Sequence, residues 1–314
     1  MIDVIIPAYN SQKTIEQTLF SIALQENVRD INVYIVNDGS TKDYSLSIKF
    51  FKKFMNITEL KIKDNKGPGY ARQYGIDHSS GKYIVFIDSD DTFFDCYSLR
   101  LLKDAIEKDN YDLVISNFLE EREGILYLHQ AETIFIHGKI YKREFLEKNN
   151  IRFNDSRYDE DNGFNQLLLF HLPKTYYLDD QSVIWQNNKK SVTRKEIDFA
   201  TVGLSSYIYN ITWACQEGIK RGCDTKRISD LIFTTILSIY YYYLIFEDKN
   251  LIINLKELYN LYLEYPVKEK DKTLLIEEQF NYSLNFCPKE VLINPSITFN
   301  EFINLLDKEG VSKW

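Results

Sequence analysis

Within the first 90 residues, short runs of β-branched and apolar residues alternate three times with segments of helical spacing, and few architectures accept that order. Strands are predicted at residues 3–7, 31–37, 60–63 and 82–87, with helices at 14–25, 43–54 and 70–78 between them. The pattern predicts an α/β domain whose mostly parallel central sheet is covered by helices. In open sheets of this kind, ligands gather outside the carboxyl ends of the strands, where loops and helix N-termini converge. Three of those ends carry unusual polar residues: Pro7-Ala8-Tyr9-Asn10, Asn37-Asp38-Gly39-Ser40 and Asp88-Ser89-Asp90-Asp91.

Further along, the spacing predicts a helix at 97–108, a strand at 112–118, a hairpin through Gly124, a short helix opened by His137-Gly138-Lys139 and ending near Asn149, and another helical run after 158–163. From about residue 196 the pattern changes to longer helices, so the α/β domain is placed at 1–195 and a mainly helical region at 196–314. The stretch 228–246 approaches membrane-spanning length with Asp230 as its only charge. Its hydroxyl residues, four consecutive tyrosines and lack of basic flanks favour a buried helix instead.

A formal net charge of -8 argues against a surface that tracks a polyanion along its whole length. The four cysteines have neither zinc-site spacing nor the density of a disulfide framework, which fits a reducing cytoplasm. The N-terminus reads directly into a strand, without the pattern of an export signal.

Four motifs carry chemistry. The apolar run 84–87 ends abruptly in Asp88-Ser89-Asp90-Asp91. Carboxylates gathered at a strand end repel one another unless a cation sits between them, and Mg²⁺ or Mn²⁺ takes oxygen ligands together with substrate phosphates. The alternative is a solvated acidic turn. Asp38, at the second strand end, can accept from a base N–H, or can make an Asx turn before a helix cap. Residues 65–72, Asn-Lys-Gly-Pro-Gly-Tyr-Ala-Arg, form a Gly-containing helix entry whose N–H groups and Arg72 suit a phosphate, or they form an ordinary loop. Asp161, after Glu160, is either a general base or one of a pair of favourable charges at a helix N-terminus.

Taken together the segments IIPAYN (5–10), VNDGST (36–41), NKGPGYARQYGI (65–76), GKYIVFIDSDD (81–91), HGKIYKREFL (137–146) and DEDNGF (159–164) resemble, in order and spacing, the family 2 glycosyltransferases, inverting enzymes of the GT-A fold. The resemblance covers about the first 190 residues. It implies that Pro7, Ala8 and Tyr9 line a nucleoside pocket and that Asp38 recognises the base, most often uracil. It implies that Arg72 lies near the base or diphosphate and that Asp88, with Ser89, lies near the ribose and sugar. Asp90 becomes the chief ligand of Mn²⁺ or Mg²⁺, Asp91 supports the metal site or meets the donor sugar, and Asp161 becomes the catalytic base. Gln73 stands where Asn is usual, His137 replaces a frequent aromatic residue, and no His metal ligand is evident near Trp185. Lys190, Ser191 and Arg194 are instead candidates to close over the diphosphate.

The expectation is therefore a metal-dependent, hexosyltransferase-like enzyme moving a sugar from a nucleotide-sugar donor, a UDP-sugar, to an acceptor hydroxyl in cell-surface polysaccharide or glycoconjugate synthesis. The acceptor would be a glycan or glycolipid, with the protein cytoplasmic and in peripheral contact with the inner membrane face through its C-terminal helices. A nucleotidyltransferase would carry a Gly-rich loop where this chain reads AYNSQKT. A phage-type enzyme glycosylating modified DNA bases is a second reading, which Lys189, Lys190, Arg194, Lys195, Lys220, Arg221, Lys226 and Arg227 would serve. A non-catalytic sugar-nucleotide-binding protein is a third.

Overall fold

The computed structural model of the protein describes residues 1–188 and 202–310, so Lys189, Lys190, Ser191, Arg194 and Lys195 lie outside the described residues. Two compact units are present, Met1–Arg194 and Lys195–Trp314. The first unit runs β1 (Ile2–Ala8), α1 (Ile15–Ala23), β2 (Ile31–Asp38), α2 (Ser45–Phe51), β3 (Asn56–Ile62), α3 (Pro68–Asp77), β4 (Tyr83–Phe86), β5 (Thr92–Phe93), α4 (Ser98–Lys108), β6 (Leu113–Arg122), β7 (Ile125–His129), β8 (Lys139–Lys142), α5 (Arg143–Lys148), α6 (Glu160–Phe170) and β9 (Thr175–Trp185).

These strands form one sheet in the order β3-β2-β1-β4-β8-β6-β9-β5, with β7 added beside β6. The first four are mutually parallel, as the alternating pattern predicts. Beyond β4 the sheet is mixed: β8 is antiparallel to both β4 and β6, while β6 and β9 are parallel. All seven residues of β1 are buried, because helices cover both faces of this central strand. On one face Val4, Ile6, Val33 and Ile35 pack with Leu19 and Ile22 of α1, Phe51 of α2 and Leu102 and Ile106 of α4. On the other, Phe86 meets Tyr141, Phe153 and Phe164 edge-on, at ring-centroid distances of 5.6, 5.6 and 6.3 Å. Phe164 belongs to α6, so this aromatic cluster seats α6 with its N-terminus beside the end of β4.

Two local expectations differ from the structure. The third strand spans Asn56–Ile62 rather than 60–63; on this edge strand only Ile57 is buried, so its first half carries little apolar signal. Residues 139–142 are a strand, not the opening of a helix, and the helix occupies only Arg143–Lys148. The four-residue β8 is held by pairing with β4 and β6, partners that no local pattern reveals.

The second unit is helical: α7 (Leu204–Lys220), α8 (Thr225–Phe246), α9 (Lys249–Asn254), α10 (Lys256–Glu264), α11 (Glu269–Ser283), α12 (Lys289–Ile293) and α13 (Phe299–Gly310). Asp224 caps α8, its Oδ1 accepting the Arg227 N–H at 2.8 Å. This helix is long and apolar enough to cross a membrane, yet 67% of its apolar window is buried within the protein, against α7, α10 and α11 among others. It is the core helix of its unit.

Candidate active site

Strand ends and one helix start build the site. At the end of β1, Pro7 and Ala8 are buried while Tyr9 is exposed. The exits of β1 and β2 are joined: the Asn10 N–H donates to Ser40 Oγ at 3.0 Å and the Thr41 N–H to Asn10 Oδ1 at 2.9 Å. Asp38 closes β2 with its carboxylate turned onto the loop before α3. It accepts the N–H groups of Lys66 and Gly67, each at 2.8 Å, and Asn65 Nδ2 at 3.0 Å. Burial raises the Asp38 pKa, and these backbone donors act against that rise. The loop can approach only because residue 39 is glycine: a Cβ there would lie 2.6 Å from Asn65 N, and its φ is +71°. A cavity of about 400 Å³ beside this edge is lined by Asn37, Gly39, Ser40, Asp43, Lys61, Ile62 and Lys63, and contains none of the acidic residues at the end of β4.

Arg72, one turn into α3 and 4% exposed, joins the next two parts. One guanidinium nitrogen donates to Asp88 Oδ1 at 2.6 Å and another to Glu160 Oε1, at the start of α6. Its Nε is buried without a hydrogen-bond partner. Burial acts to lower the Arg72 pKa, but Asp88, Glu160 and Asp161 more than offset this and raise it, so the group is a fixed cation. Asp88 feels the same balance in reverse: burial acts upward, and Arg72 holds its pKa below the usual value. Glu160 is pushed up to about 7 by burial, with Arg72 opposing.

At the end of β4 the acidic residues separate. Asp90 Oδ2 accepts Asn188 Nδ2 at 2.7 Å, and burial together with the Asp88 charge raises its pKa. Asp91 turns inward and is 1% exposed; its Oδ1 accepts the Gln186 N–H and its Oδ2 meets His137 Nε2, both at 2.8 Å. Burial pushes Asp91 up to about 7. Burial acts to lower the His137 pKa, and the bond to Asp91 outweighs it to leave the imidazole raised. Ser89, between Asp88 and Asp90 in sequence, is buried. Asp161, in the first turn of α6, accepts the Ile136 N–H at 3.1 Å through Oδ2 and the Asn162 N–H at 3.0 Å through Oδ1.

Asp88, Asp91 and His137 offer ligand atoms all within 4.8 Å of one another, the one such cluster among the described residues. The two carboxylate oxygens are hard donors of the kind Mg²⁺ and Mn²⁺ take, and the imidazole nitrogen, a borderline donor, fits Mn²⁺ better than Mg²⁺. The raised carboxyls of Asp90 and Asp91, and the unpartnered buried Nδ1 of His137, fit a place where a cation would relieve crowded negative charge. Asp90, the ligand expected from the motif, stands beside this trio rather than in it. His137 was legible only as a substitution for an aromatic residue; it keeps that ring role too, stacking on Trp185 at 5.3 Å.

The expected residues thus converge on one side of the sheet. Arg72 ties Asp88 to Glu160, neighbour of Asp161, and Arg157 ties the segment before α6 to the Asp38 loop by donating to Asn65 Oδ1 at 2.8 Å. In the second unit, Lys220 and Arg221 pair with Glu217, and Lys226 pairs with Asp230, at 3.4, 2.6 and 2.6 Å. Lys220 and Arg221 share the single carboxylate of Glu217, and the Lys220 and Lys226 side chains stay largely exposed.

The model of the family described as "Glycosyl transferase family 2" matches residues 3–162. Among curated proteins, the glycosyltransferase GlyA of Streptococcus pneumoniae is 28% identical over 222 residues, covering 62% of this chain; the match takes in 31% of its own length. Among solved structures, TarS 1–349 of S. aureus in complex with UDP-GlcNAc superposes with a TM-score of 0.67 at 17% identity, over 88% of this chain and 87% of that one. The mannosyltransferase PcManGT of Pyrobaculum calidifontis, in complex with GDP-Man and Mn²⁺, superposes with a TM-score of 0.56 at 14% identity, over 99% and 87%. Both share the fold of the first unit's α/β type, and this chain spans about a third of the length of GlyA.

Proposed function

We propose, from the premise that this chain belongs to glycosyl transferase family 2, that it transfers a sugar from a UDP-sugar to an acceptor hydroxyl with inversion at the anomeric carbon. The observation that carries the reading is the convergence of Arg72, Asp88, Asp91, His137, Glu160 and Asp161 at the ends of β4, α3 and α6.

In this reading the Asp161 carboxylate, steadied by the N–H groups of Ile136 and Asn162, takes the proton of the acceptor hydroxyl as its oxygen bonds to the anomeric carbon. The bond from that carbon to the donor diphosphate breaks on the opposite side, and its electron pair leaves on the diphosphate. A positioned base of this kind contributes on the order of 10²- to 10⁴-fold. Asp88, Asp91 and His137, with Asp90 beside them, would hold Mn²⁺ or Mg²⁺, which when bound stabilises charge on the leaving diphosphate. Arg72 fixes Asp88 and Glu160, so that the ligand strand and the base-bearing helix keep their spacing. The Asp38 carboxylate shapes the 65–67 loop, where the N-terminus of α3 faces the donor site.

For the acceptor, a glycan or lipid-linked glycan on the cytoplasmic side of the membrane is favoured over a DNA base, because a formal net charge of -8 opposes docking on a polyanion. The test is thermal melting with UDP-GlcNAc, UDP-glucose, UDP-galactose or GDP-mannose, each with and without MnCl₂, followed by a nucleotide-release assay with the stabilising donor. A UDP-sugar that stabilises only with Mn²⁺ and releases UDP supports the proposal. Equal indifference to all four donors, with no nucleotide released, would sink it.

A further inference from the structure

Lys139 of β8 is 1% exposed, an unusual place for an ammonium group. Its Nζ donates to the carbonyl of Glu132 at 2.6 Å and to that of Phe135. Asn165 of α6, equally buried, donates Nδ2 to the carbonyls of Ile134 and Phe135 at 2.9 and 3.1 Å. Its Oδ1 in turn accepts the hydroxyl of the buried Tyr141 at 2.9 Å. Two buried side chains therefore hold three carbonyls of the strap between β7 and β8. The next two residues of that strap are Ile136, whose N–H meets Asp161 Oδ2, and His137, whose ring meets Asp91 Oδ2.

Stability alone is a poor reason for this arrangement. An ammonium 1% exposed and facing only backbone carbonyls has given up its hydration, a cost that an apolar side chain of the same length would avoid. What an apolar side chain could not do is turn the carbonyls of residues 132 and 135 inward and so leave the N–H of residue 136 pointing at α6.

We infer that Lys139 is a positioning residue for Asp161: with Asn165 it sets the strap so that the Ile136 N–H engages the Asp161 carboxylate. This rests on the reading of Asp161 as the base. Lys139 touches neither donor nor acceptor in it; the residue acts on the base through the strap.

The test is a mutant cycle on the full chain, using Lys139→Met and Asn165→Ser, each alone and with Asp161→Asn. The readout is nucleotide release from whichever of the four donors above stabilises the protein most, with thermal melting of every variant. Lys139→Met should lower kcat about 10- to 100-fold with the donor KM within about twofold, and should change the residual rate of Asp161→Asn by less than about twofold. A merely structural role would lower both backgrounds by the same factor, and that outcome overturns the inference, as does an unchanged kcat in Lys139→Met. Should Lys139→Met fail to fold, Asn165→Ser answers the same question in the same two backgrounds. If Asp161→Asn alone keeps the wild-type rate, the base reading fails, which is a different result from an inactive Asp161→Asn with an additive cycle.

Discussion

Asp91 Oδ2 and His137 Nε2 stand 2.8 Å apart with both side chains buried, although 46 positions separate them in the chain. The pair places an imidazole from the strap before β8 against the acidic end of β4, and so makes a cluster of carboxylates into a mixed oxygen and nitrogen donor set. Its charge state sets the first prediction.

Burial raises the Asp91 pKa to about 7 and the Asp91 contact raises that of His137. A raised group adds stability that is fully present below its unfolded pKa and is lost as pH rises through its folded one. In metal-free buffer the melting temperature should therefore fall from about pH 4 to pH 7 through Asp91, with His137 carrying the fall onward above its ordinary value of about 6.5. Asp91→Asn should flatten that slope. A slope unchanged by Asp91→Asn in melts across the range would assign it to other groups, Glu160 first among them.

Replacing the hub Arg72 by Met strands Asp88 and the buried Glu160 without their cation. Removing one partner of a buried pair costs about 3–5 kcal/mol, and at about 2–4 °C per kcal/mol the melting temperature should drop by roughly 10 °C. Because Glu160 can take up a proton, the loss should be smaller at pH 5 than at pH 8. Denaturant titrations at both pH values check the magnitude and the direction.

Asp161→Asn keeps the size of the side chain and leaves an accepting oxygen for one of the Ile136 and Asn162 N–H groups, but it turns the other oxygen into an NH₂ donor and removes the proton acceptor. Donor-induced stabilisation should persist while transfer drops about 10²- to 10⁴-fold. Retention of the wild-type turnover number would transfer the role of base to another carboxylate.

Gly39→Ala adds a Cβ 2.6 Å from Asn65 N at a φ of +71°. The loop that Asp38 holds must then shift, at a cost of order 1–3 kcal/mol for the strained backbone. Weaker nucleotide-sugar binding by calorimetry, with the sheet intact by circular dichroism, is the expected outcome.

If Asp88, Asp91 and His137 hold the cation, Mn²⁺ in the presence of the donor should raise the melting temperature, and EDTA should reverse the gain. His137→Phe, which keeps the ring stacking on Trp185, should reduce the Mn²⁺ effect selectively. Equal stabilisation of His137→Phe and wild type by Mn²⁺ would take the imidazole out of the ligand set.

Much of this protein was legible in its sequence, because the informative signals are local. Alternating strand and helix periods in residues 1–90 specify parallel strands β1 to β4, since each strand's pattern reflects only which of its own side chains must leave water. Short polar motifs at Pro7, Asp38 and Asp88 mark the ends of three of those strands, which share one edge of the sheet, and Asp161 marks the start of a later helix. What tertiary structure alone decided is which distant groups meet. Strand β8 exists because β4 and β6 receive it, and the fate of Lys139, His137 and Glu160 follows from burial that a single chain segment does not encode. A charged side chain in a sequence carries no sign of whether it will face solvent or a carbonyl cage; the low dielectric around it, and so its partners and its proton, comes only from the packing of segments tens of residues apart.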